Sequence, residues 1–200
     1  ELIKRYAVML LGTALMTFGI DMTIHANIGT TPLSTLPCVF SIQFPQISFG
    51  MITMIWNIIF FLFQVVILRK NFKASELLQI PISIFFSIML DLNEYLLFWL
   101  TPESMVSKII VTVIACVIIG FSIAITVISN AVINSGEAVV KAISETFKLN
   151  FGYVKVALDV TYVVLGVIFS FLMFGSLKGV GIGTIIPAVF AGFIVNFFTK

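Results

Sequence analysis

Charged residues are scarce in this chain. Asp, Glu, Lys and Arg make up 10% of its 200 residues, whereas roughly 25% is usual for a soluble domain. The net charge of +2 is too small to indicate a nucleic-acid partner. Apolar residues make up 60% of the chain, and its mean hydropathy is +1.18. The shortage of charge therefore excludes an ordinary soluble domain and predicts a protein embedded in the lipid bilayer.

Residues that carry out catalysis or bind metals are also few. The two cysteines, Cys38 and Cys116, lie far apart in the sequence, so no disulfide framework is indicated. The single histidine, His25, has no cysteine or second histidine beside it to complete a metal site. The sequence contains no HExxH, GxSxG or Walker motif. We therefore predict that the protein is not an enzyme and has no catalytic residue, metal or cofactor.

Six apolar segments are near the length needed to cross a bilayer, which is about 20 residues. They cover residues 6–25, 47–68, 77–100, 109–129, 151–174 and 180–198. This pattern predicts an all-α, polytopic membrane protein whose single transmembrane domain covers residues 1–200.

The lysines and arginines outside these spans indicate the orientation. If the N-terminus is inside the cell, most of them are cytoplasmic: Lys4, Arg5, Arg69, Lys70, Lys73, Lys141, Lys148 and Lys200. Only Lys108 and Lys178 then lie outside. Positive residues concentrate on the cytoplasmic side of membrane proteins, so we expect both termini to be cytoplasmic.

Two connections are too long to be simple turns, and each contains a signal for the start of a helix. After the first span, Thr31 is placed to cap a helix and Pro32 fits the first helical position. The segment that follows is apolar and contains Pro37, which predicts an interrupted, re-entrant hairpin. After the fourth span, Ser135 is placed to cap a helix and Glu137 to interact with its dipole. This second segment predicts an amphipathic helix that lies at the interface or dips into the membrane.

One sequence pattern occurs in both halves of the chain. It consists of Ser48-Phe49-Gly50, Thr53 and Asn57 in the first copy and Asn150-Phe151-Gly152, Lys155 and Asp159 in the second. The order of elements also repeats: span, short helix, span, span. Repeat one covers residues 5–100 and repeat two residues 106–200. Because each unit has an odd number of spans, the second is inverted, as in many transporters that bind their substrate where the halves meet.

Polar side chains within apolar spans are candidate functional groups, because their burial in lipid is costly. With the polar residues of the two short helices, they give the predicted solute-binding set: Asp159, Lys155, Asn57, Asp91, Thr31, Glu137 and Asn196. Lys155 and Asp159 are four residues apart and share one helix face, so they predict an ion pair or a ligand site. Lys155 is also close enough to the end of its span to reach the membrane surface instead.

Two further acids in the spans have alternative interpretations. Asp91 has only Glu94 as a charged neighbour at helical spacing, which predicts a carboxyl that faces a cavity or is protonated. Asp21 and His25 share a helix face near the outer surface, which favours a plain interfacial pair.

Short motifs along the chain resemble a known family. Ile28-Gly29-Thr30-Thr31-Pro32 follows the first span, Ser48-Phe49-Gly50 opens the second, and Gly181-Ile182-Gly183-Thr184 opens the sixth. In order and spacing these motifs resemble the YczE/YyaS/YitT family of bacterial integral membrane proteins, over nearly the whole chain. The resemblance implies a protein of the bacterial cytoplasmic (inner) membrane and is consistent with a transporter. Ser135-Gly136-Glu137 departs from the usual pattern of the YczE-like branch, so the resemblance assigns no ligand role there.

Three functions remain open from the sequence. The first is a transporter for a small polar, anionic or zwitterionic solute, with a proton as one option for the coupling ion. The second is a substrate-binding subunit similar to the six-span components of energy-coupling-factor transporters, which dock through faces of small residues such as Ala115, Gly120 and Ala124. The third is a structural or regulatory membrane protein. Six spans are few for a complete transporter, which favours a homodimer.

Overall fold

The apolar segments form long helices, as expected where the backbone must satisfy its own hydrogen bonds in lipid. The computed structural model describes residues 2–129, 132–185 and 187, and these contain no strand. Their α-helices are α1 (Leu2–Ala26), α2 (Thr35–Gln43), α3 (Phe49–Leu68), α4 (Gln79–Leu96), α5 (Met105–Ser129), α6 (Ser135–Phe147) and α7 (Phe151–Phe174). Short 3-10 helices cover Pro32–Ser34, Arg69–Asn71 and Ala74–Leu78.

Five of the described helical segments are long and apolar enough to cross a membrane. They are Ile3–Ala26, Phe49–Asn71, Ala74–Leu96, Met105–Ser129 and Phe151–Phe174. Large apolar side chains remain exposed along them, as on α3, where Leu62, Phe63 and Val66 are all more than half exposed. Such surfaces fit lipid rather than water, so this is a multi-pass membrane protein. The predicted sixth span, 180–198, lies largely outside the described residues.

Small residues let α1 and α5 approach closely. A Cβ atom at Gly19 would lie 3.1 Å from the backbone oxygen of Ala115 and 2.6 Å from the side chain of Ile119. Ala115 and Ala124 of α5 are 0% and 1% exposed. The small-residue face predicted to dock a partner is therefore buried inside the chain, with Ala115 against α1.

Helix α4 packs on α1 and α3 within the first half of the chain, while the two short helices connect the halves. The short helix α2 packs on α3 of its own half and on α7 of the other half. The short helix α6 likewise packs on α7 of its own half and on α3 of the other. Each short helix therefore lies between two spans that belong to different halves.

The N-terminus of α3 is attached to the C-terminal half of α4. Ser48 caps α3 by accepting a hydrogen bond from the backbone N–H of Met51, and its hydroxyl donates to Asp91 Oδ2 at 2.8 Å. The backbone N–H of Gly50 donates to Asp91 Oδ1, also at 2.8 Å. A Cβ atom at Gly50 would lie 2.3 Å from the backbone oxygen of Ser87, so only glycine allows this approach. Asp91 therefore accepts from a helix terminus instead of presenting a free carboxyl to a cavity.

The loop after α1 packs against the glycine-rich segment after α7. Gly183 donates its backbone N–H to the carbonyl oxygen of Ile28 at 2.8 Å, and a Cβ atom at Gly181 would lie 2.3 Å from that same oxygen. Gly29 has a φ of +123°, which other residues rarely adopt. Two of the three motifs that resemble the YczE/YyaS/YitT family are therefore in direct contact.

Two predictions about the short helices are wrong. Pro37 does not interrupt α2, because it lies in the first turn, where a backbone N–H has no intrahelical partner to lose. Ser135 does not cap α6; the N-cap is Asn134, which makes no side-chain capping bond. The Ser135 hydroxyl lies 3.1 Å from that of Ser83 on α4 and joins the two helices instead.

We predict that Gly50→Ala lowers the free energy of unfolding by about 1 to 3 kcal/mol, because the added methyl group overpacks the contact between α3 and α4. The measurement is the melting temperature of the purified protein in detergent. Gly152→Ala is the matched control at the equivalent position of α7, where a Cβ atom would approach only Asn150 Oδ1, at 3.2 Å. Equal melting temperatures for the two variants would contradict the prediction.

Candidate functional site

An ion pair lies in the first three turns of α7. Lys155 Nζ is 2.8 Å from Asp159 Oδ1, as the spacing of the two residues predicts. The Lys155 side chain is 29% exposed and that of Asp159 is 18% exposed, so the protein covers most of both charged groups. Asn150 begins the helix by accepting a hydrogen bond from the backbone N–H of Gly152 at 2.9 Å. The lysine therefore has a partner within its own helix and does not depend on the membrane surface for one.

Glu137 of α6 lies within electrostatic reach of this ion pair. Burial raises the pKa of Glu137 above its usual value, and the charge of Asp159 raises it further, while that of Lys155 lowers it. Glu137 is partly exposed, yet the loss of solvation on burial is the largest of the three effects on its pKa. Glu137, Lys155 and Asp159 thus form one group of two carboxyls and one ammonium, which we call the α7 triad.

The first turns of the two short helices meet beside the α7 triad. A Cβ atom at Gly136, next to Glu137, would lie 3.2 Å from Leu33 of the 3-10 helix that leads into α2. It would also lie 3.7 Å from the ring of Phe60 on α3. Helix N-termini carry partial positive charge from their unpaired N–H groups, so both starts favour a negative group between them.

Aromatic side chains line the space between α3 and α7. Tyr162 follows Asp159 by three residues on the same helix face and packs edge-on against Phe60, with ring centres 5.3 Å apart. Beyond Phe60, further contacts connect α3, α2 and α7 through Trp56, Phe40 and Phe169. The sequence prediction missed these aromatic residues. Tyr162 was the one detectable in advance, because it lies at helical spacing from a buried acid.

The remaining predicted residues are distributed over the bundle. Asn57 is 5% exposed, and its Nδ2 has no hydrogen-bond partner in the described part of the chain. Thr31 is the N-cap residue of the 3-10 helix Pro32–Ser34, and its hydroxyl donates to Ser34 at 2.8 Å. Asp91 is held at the N-terminus of α3, away from the α7 triad. Asn196 lies outside the described residues. A role in solute binding stays a prediction for all of them.

Asp21 was predicted to form an interfacial pair with His25, and the structure differs from that prediction. Its side chain is 1% exposed, and the ring nitrogen Nδ1 of His25 lies 3.0 Å from the backbone oxygen of Asp21, not from its carboxylate. Both residues line a cavity of about 350 Å³, which we call the Asp21 cavity, at the C-terminal ends of α1 and α4. The pairing prediction fails because a polar ring four residues along a helix reaches the backbone carbonyl as easily as the side chain.

A second cavity lies at the opposite end of the bundle. It has a volume of about 780 Å³, and we call it the Gln64 cavity; Tyr6, Gln64, Gln79 and Lys141 are among its lining residues. Gln64 and Gln79 are both 3% exposed, and each has an Oε1 atom without a partner among the described residues. Gln64 donates through its Nε2 to Glu76.

A small void lies between these two cavities. Thr13, Phe86 and Glu137 line a space of about 10 Å³, which is close to the minimum that holds one water molecule. On α1 the order is Tyr6 in the Gln64 cavity, Thr13 in the void and Asp21 in the Asp21 cavity. The described residues contain no group of three or more His, Cys, Asp or Glu residues that could hold a metal ion.

The chain matches the family of unknown function DUF6198 over residues 3–200, nearly its entire length. It belongs to this family. No curated protein and no solved structure matches the chain.

We predict that Glu137→Gln flattens the pH dependence of stability. Because burial raises the pKa of Glu137 in the folded protein, ionising it opposes folding, and the free energy of unfolding falls as the pH rises above the usual value of 4.5. The uncharged amide removes this loss. The measurement is the melting temperature in detergent between about pH 5 and pH 8, the range in which a carboxyl with a raised pKa loses its proton.

Glu145→Gln is the control, because Glu145 lies on the same helix with its side chain 62% exposed. This variant should follow the wild-type pH dependence. A Glu137→Gln protein that loses stability with rising pH as steeply as the wild type would contradict the prediction.

Proposed function

We propose that this protein is a membrane transporter for a small anionic or zwitterionic solute, with its site between two inverted repeats. The observation that carries the proposal is the α7 triad: an ion pair inside a span, with the carboxyl of Glu137 within electrostatic reach. Ionisable groups are costly in lipid and typically mark substrate or ion pathways. A carboxylate on the solute replaces Asp159 as the partner of Lys155, and a solute amine then binds the freed carboxylate.

The balance of charge in the triad supports coupling to a proton. It holds two carboxyls and one ammonium, so an anionic solute adds a third negative group beside a single lysine. Protonation of Asp159 or Glu137 restores the balance, and burial raises the pKa of Glu137 and so favours its protonated form. A zwitterion brings its own positive charge and has less need of the proton. The proposal thus links proton uptake to the net charge of the solute.

The helix contacts support two inverted repeats that cover residues 5–100 and 106–200. If α1, α2 and α3 correspond to α5, α6 and α7, the packing of α2 on α7 is equivalent to that of α6 on α3. The contacts of α2 with α3 and of α6 with α7 are equivalent in the same way. Ser48 and Asn150 are the N-cap residues of the corresponding helices α3 and α7. A sixth span over residues 180–198 completes the second repeat in this proposal.

Two cavities at opposite ends of the bundle support alternating access. The Asp21 and Gln64 cavities are separated by the small central void, which Glu137 helps to line. In this proposal the described structure is an occluded or resting arrangement of the transporter. Movement of α3 and α6 against α7 would open the triad to one cavity and close it to the other, as in transporters built from inverted repeats.

The proposal extends to the family to which the protein is related and to the membrane in which it lies. The contact between the Gly29 and Gly181–Gly183 motifs supports kinship with the YczE/YyaS/YitT family, since the resemblance then rests on residues that fold against each other. We place the protein in the bacterial cytoplasmic membrane with both termini inside. A homodimer fits the small number of spans.

The two alternative functions have less support. A binding subunit that docks through Ala115, Gly120 and Ala124 needs that face exposed, and all three residues are buried within the chain. A purely structural protein needs its buried polar groups satisfied within the bundle. Asn57 and Gln79 instead each have an unpaired polar atom in the described structure.

We predict that Asp159→Asn abolishes solute-driven proton uptake while the protein still folds. The assay uses proteoliposomes that contain a pH-sensitive dye, challenged with neutral amino acids and with small mono- and dicarboxylates. Wild-type protein should acidify the lumen with at least one solute class, and more strongly with anions than with zwitterions. The amide keeps the shape of the side chain but has no charge to exchange and no proton to carry.

Glu103→Gln is the control, because it removes an exposed carboxylate from the segment after α4, outside the triad and both cavities. Its uptake should equal that of the wild type. Wild-type uptake by Asp159→Asn, or a wild-type protein no more active than empty liposomes with every solute, would refute the proposal.

A further inference from the structure

The Asp21 cavity contains a buried acid that the chain leaves unsatisfied. Asp21 is 1% exposed, and its Oδ2 has no hydrogen-bond partner in the described part of the chain. A buried carboxylate oxygen without a donor is costly, because it has lost water and gained nothing in exchange. The cavity beside it, about 350 Å³ in volume, is large enough for a small ligand.

Several neighbouring donors are already engaged elsewhere. The hydroxyl groups of Thr23 and Thr30 pair with each other at 3.0 Å. The hydroxyl of Ser48, at the cavity wall, donates to Asp91. His25 directs its Nδ1 at the backbone oxygen of Asp21. Asp21 Oδ2 therefore needs a donor from outside this set.

Two acidic side chains line the cavity. They are Asp21 and Glu94. No lysine or arginine belongs to the described lining. Lys178 is adjacent in sequence to Gly179 of the lining, but its ammonium lies over the ring of Phe174, 4.9 Å from the centre. Carboxylates in a recess without a counter-charge attract cations.

We propose that this cavity binds a small protonated primary amine, whose N–H groups donate to Asp21 Oδ2 and whose charge is balanced by Asp21 and Glu94. Ile24, Ile42 and Phe49 contribute to the lining and are placed to contact the carbon portion of the ligand. The site is separate from the α7 triad, and the inference does not rest on the proposed transport function.

The unsatisfied oxygen selects among cations. A quaternary ammonium has the charge but no N–H to donate, so it leaves Oδ2 unpaired. A divalent metal needs several protein ligands, and the described residues contain no group of three or more His, Cys, Asp or Glu residues for it. Primary ammonium groups occur on free amines and on ethanolamine lipid headgroups, which carry the same donor chemistry.

The test is calorimetric titration of the purified protein in detergent at pH 7 with benzylammonium. Benzyltrimethylammonium is the matched probe, with the same ring and charge but no N–H donor. Wild-type protein should bind benzylammonium saturably and the quaternary probe at least tenfold more weakly, because a hydrogen bond to a charged group contributes about that factor or more. Asp21→Asn should weaken benzylammonium binding by a similar factor, and Glu94→Gln by a smaller one.

Glu103→Gln is the control, since it removes an exposed carboxylate from the segment that follows α4. It should bind as the wild type does. Equal affinity for the two probes, unchanged binding by Asp21→Asn, or no saturable binding by the wild type would overturn the proposal. If Asp21→Asn fails to fold, the comparison of Glu94→Gln with Glu103→Gln decides, and equal affinities reject the site.

Lipid nanodiscs distinguish the two sources of the ammonium group. In discs of phosphatidylcholine the benzylammonium affinity should match that in detergent. Replacing part of that lipid by phosphatidylethanolamine should weaken it if the headgroup occupies the cavity, and should leave it unchanged if the natural ligand is a free amine. Either result supports a primary-ammonium site.

Discussion

The hydrogen bonds from the N-terminus of α3 to Asp91 fix the position of the helix on which the rest of the bundle is arranged. A helix leaves its first N–H groups without partners, and in an apolar environment those groups need acceptors from elsewhere in the protein. Asp91 supplies two acceptor oxygens, and Gly50 allows α3 to come close enough to reach them. Helix α3 in turn contacts α2, α4 and α6. The position of α6, and with it Glu137, therefore depends on a contact at the far end of α3.

The two halves use similar elements for different purposes. In the first half the N-cap residue of α3 is joined to another helix through Asp91. In the second half the N-cap residue of α7, Asn150, bonds only within its own turn, and the charges come later, at Lys155 and Asp159. The corresponding positions in α3 are Thr53, whose hydroxyl donates to the backbone of its own helix, and Asn57. In the proposed site between the halves, the charges would thus lie on the α7 side and neutral polar groups on the α3 side, which would give a solute one preferred orientation.

The sequence was enough to predict features that depend on local patterns. The bounds of α7 and the pairing of Lys155 with Asp159 follow from hydropathy and helical spacing, and the structure confirms both. Features that depend on what another helix brings nearby were not predictable. The role of Asp91 requires knowing that Gly50 touches α4, and the contact of Ser135 with Ser83 competes with the capping role expected of it. The predicted interruption at Pro37 is wrong for a local reason. A proline breaks a helix only beyond its first turn, and the first residue of a helix is hard to predict from sequence.

Three aspartates within the spans show how the partners of a carboxylate limit what it can do. Asp91 accepts from a hydroxyl and a backbone N–H that cannot leave, so it is fixed in a structural role. Asp159 has a lysine whose flexible side chain can turn to another anion, so the pair can be opened without unfolding the helix. Asp21 has an oxygen with no partner among the described residues, so a donor that enters the cavity gains a hydrogen bond without having to break one. Polarity alone therefore does not make a residue in a membrane span functional. Such a residue is available for binding when its polar atoms have no partner in the protein, or when their partner can move away.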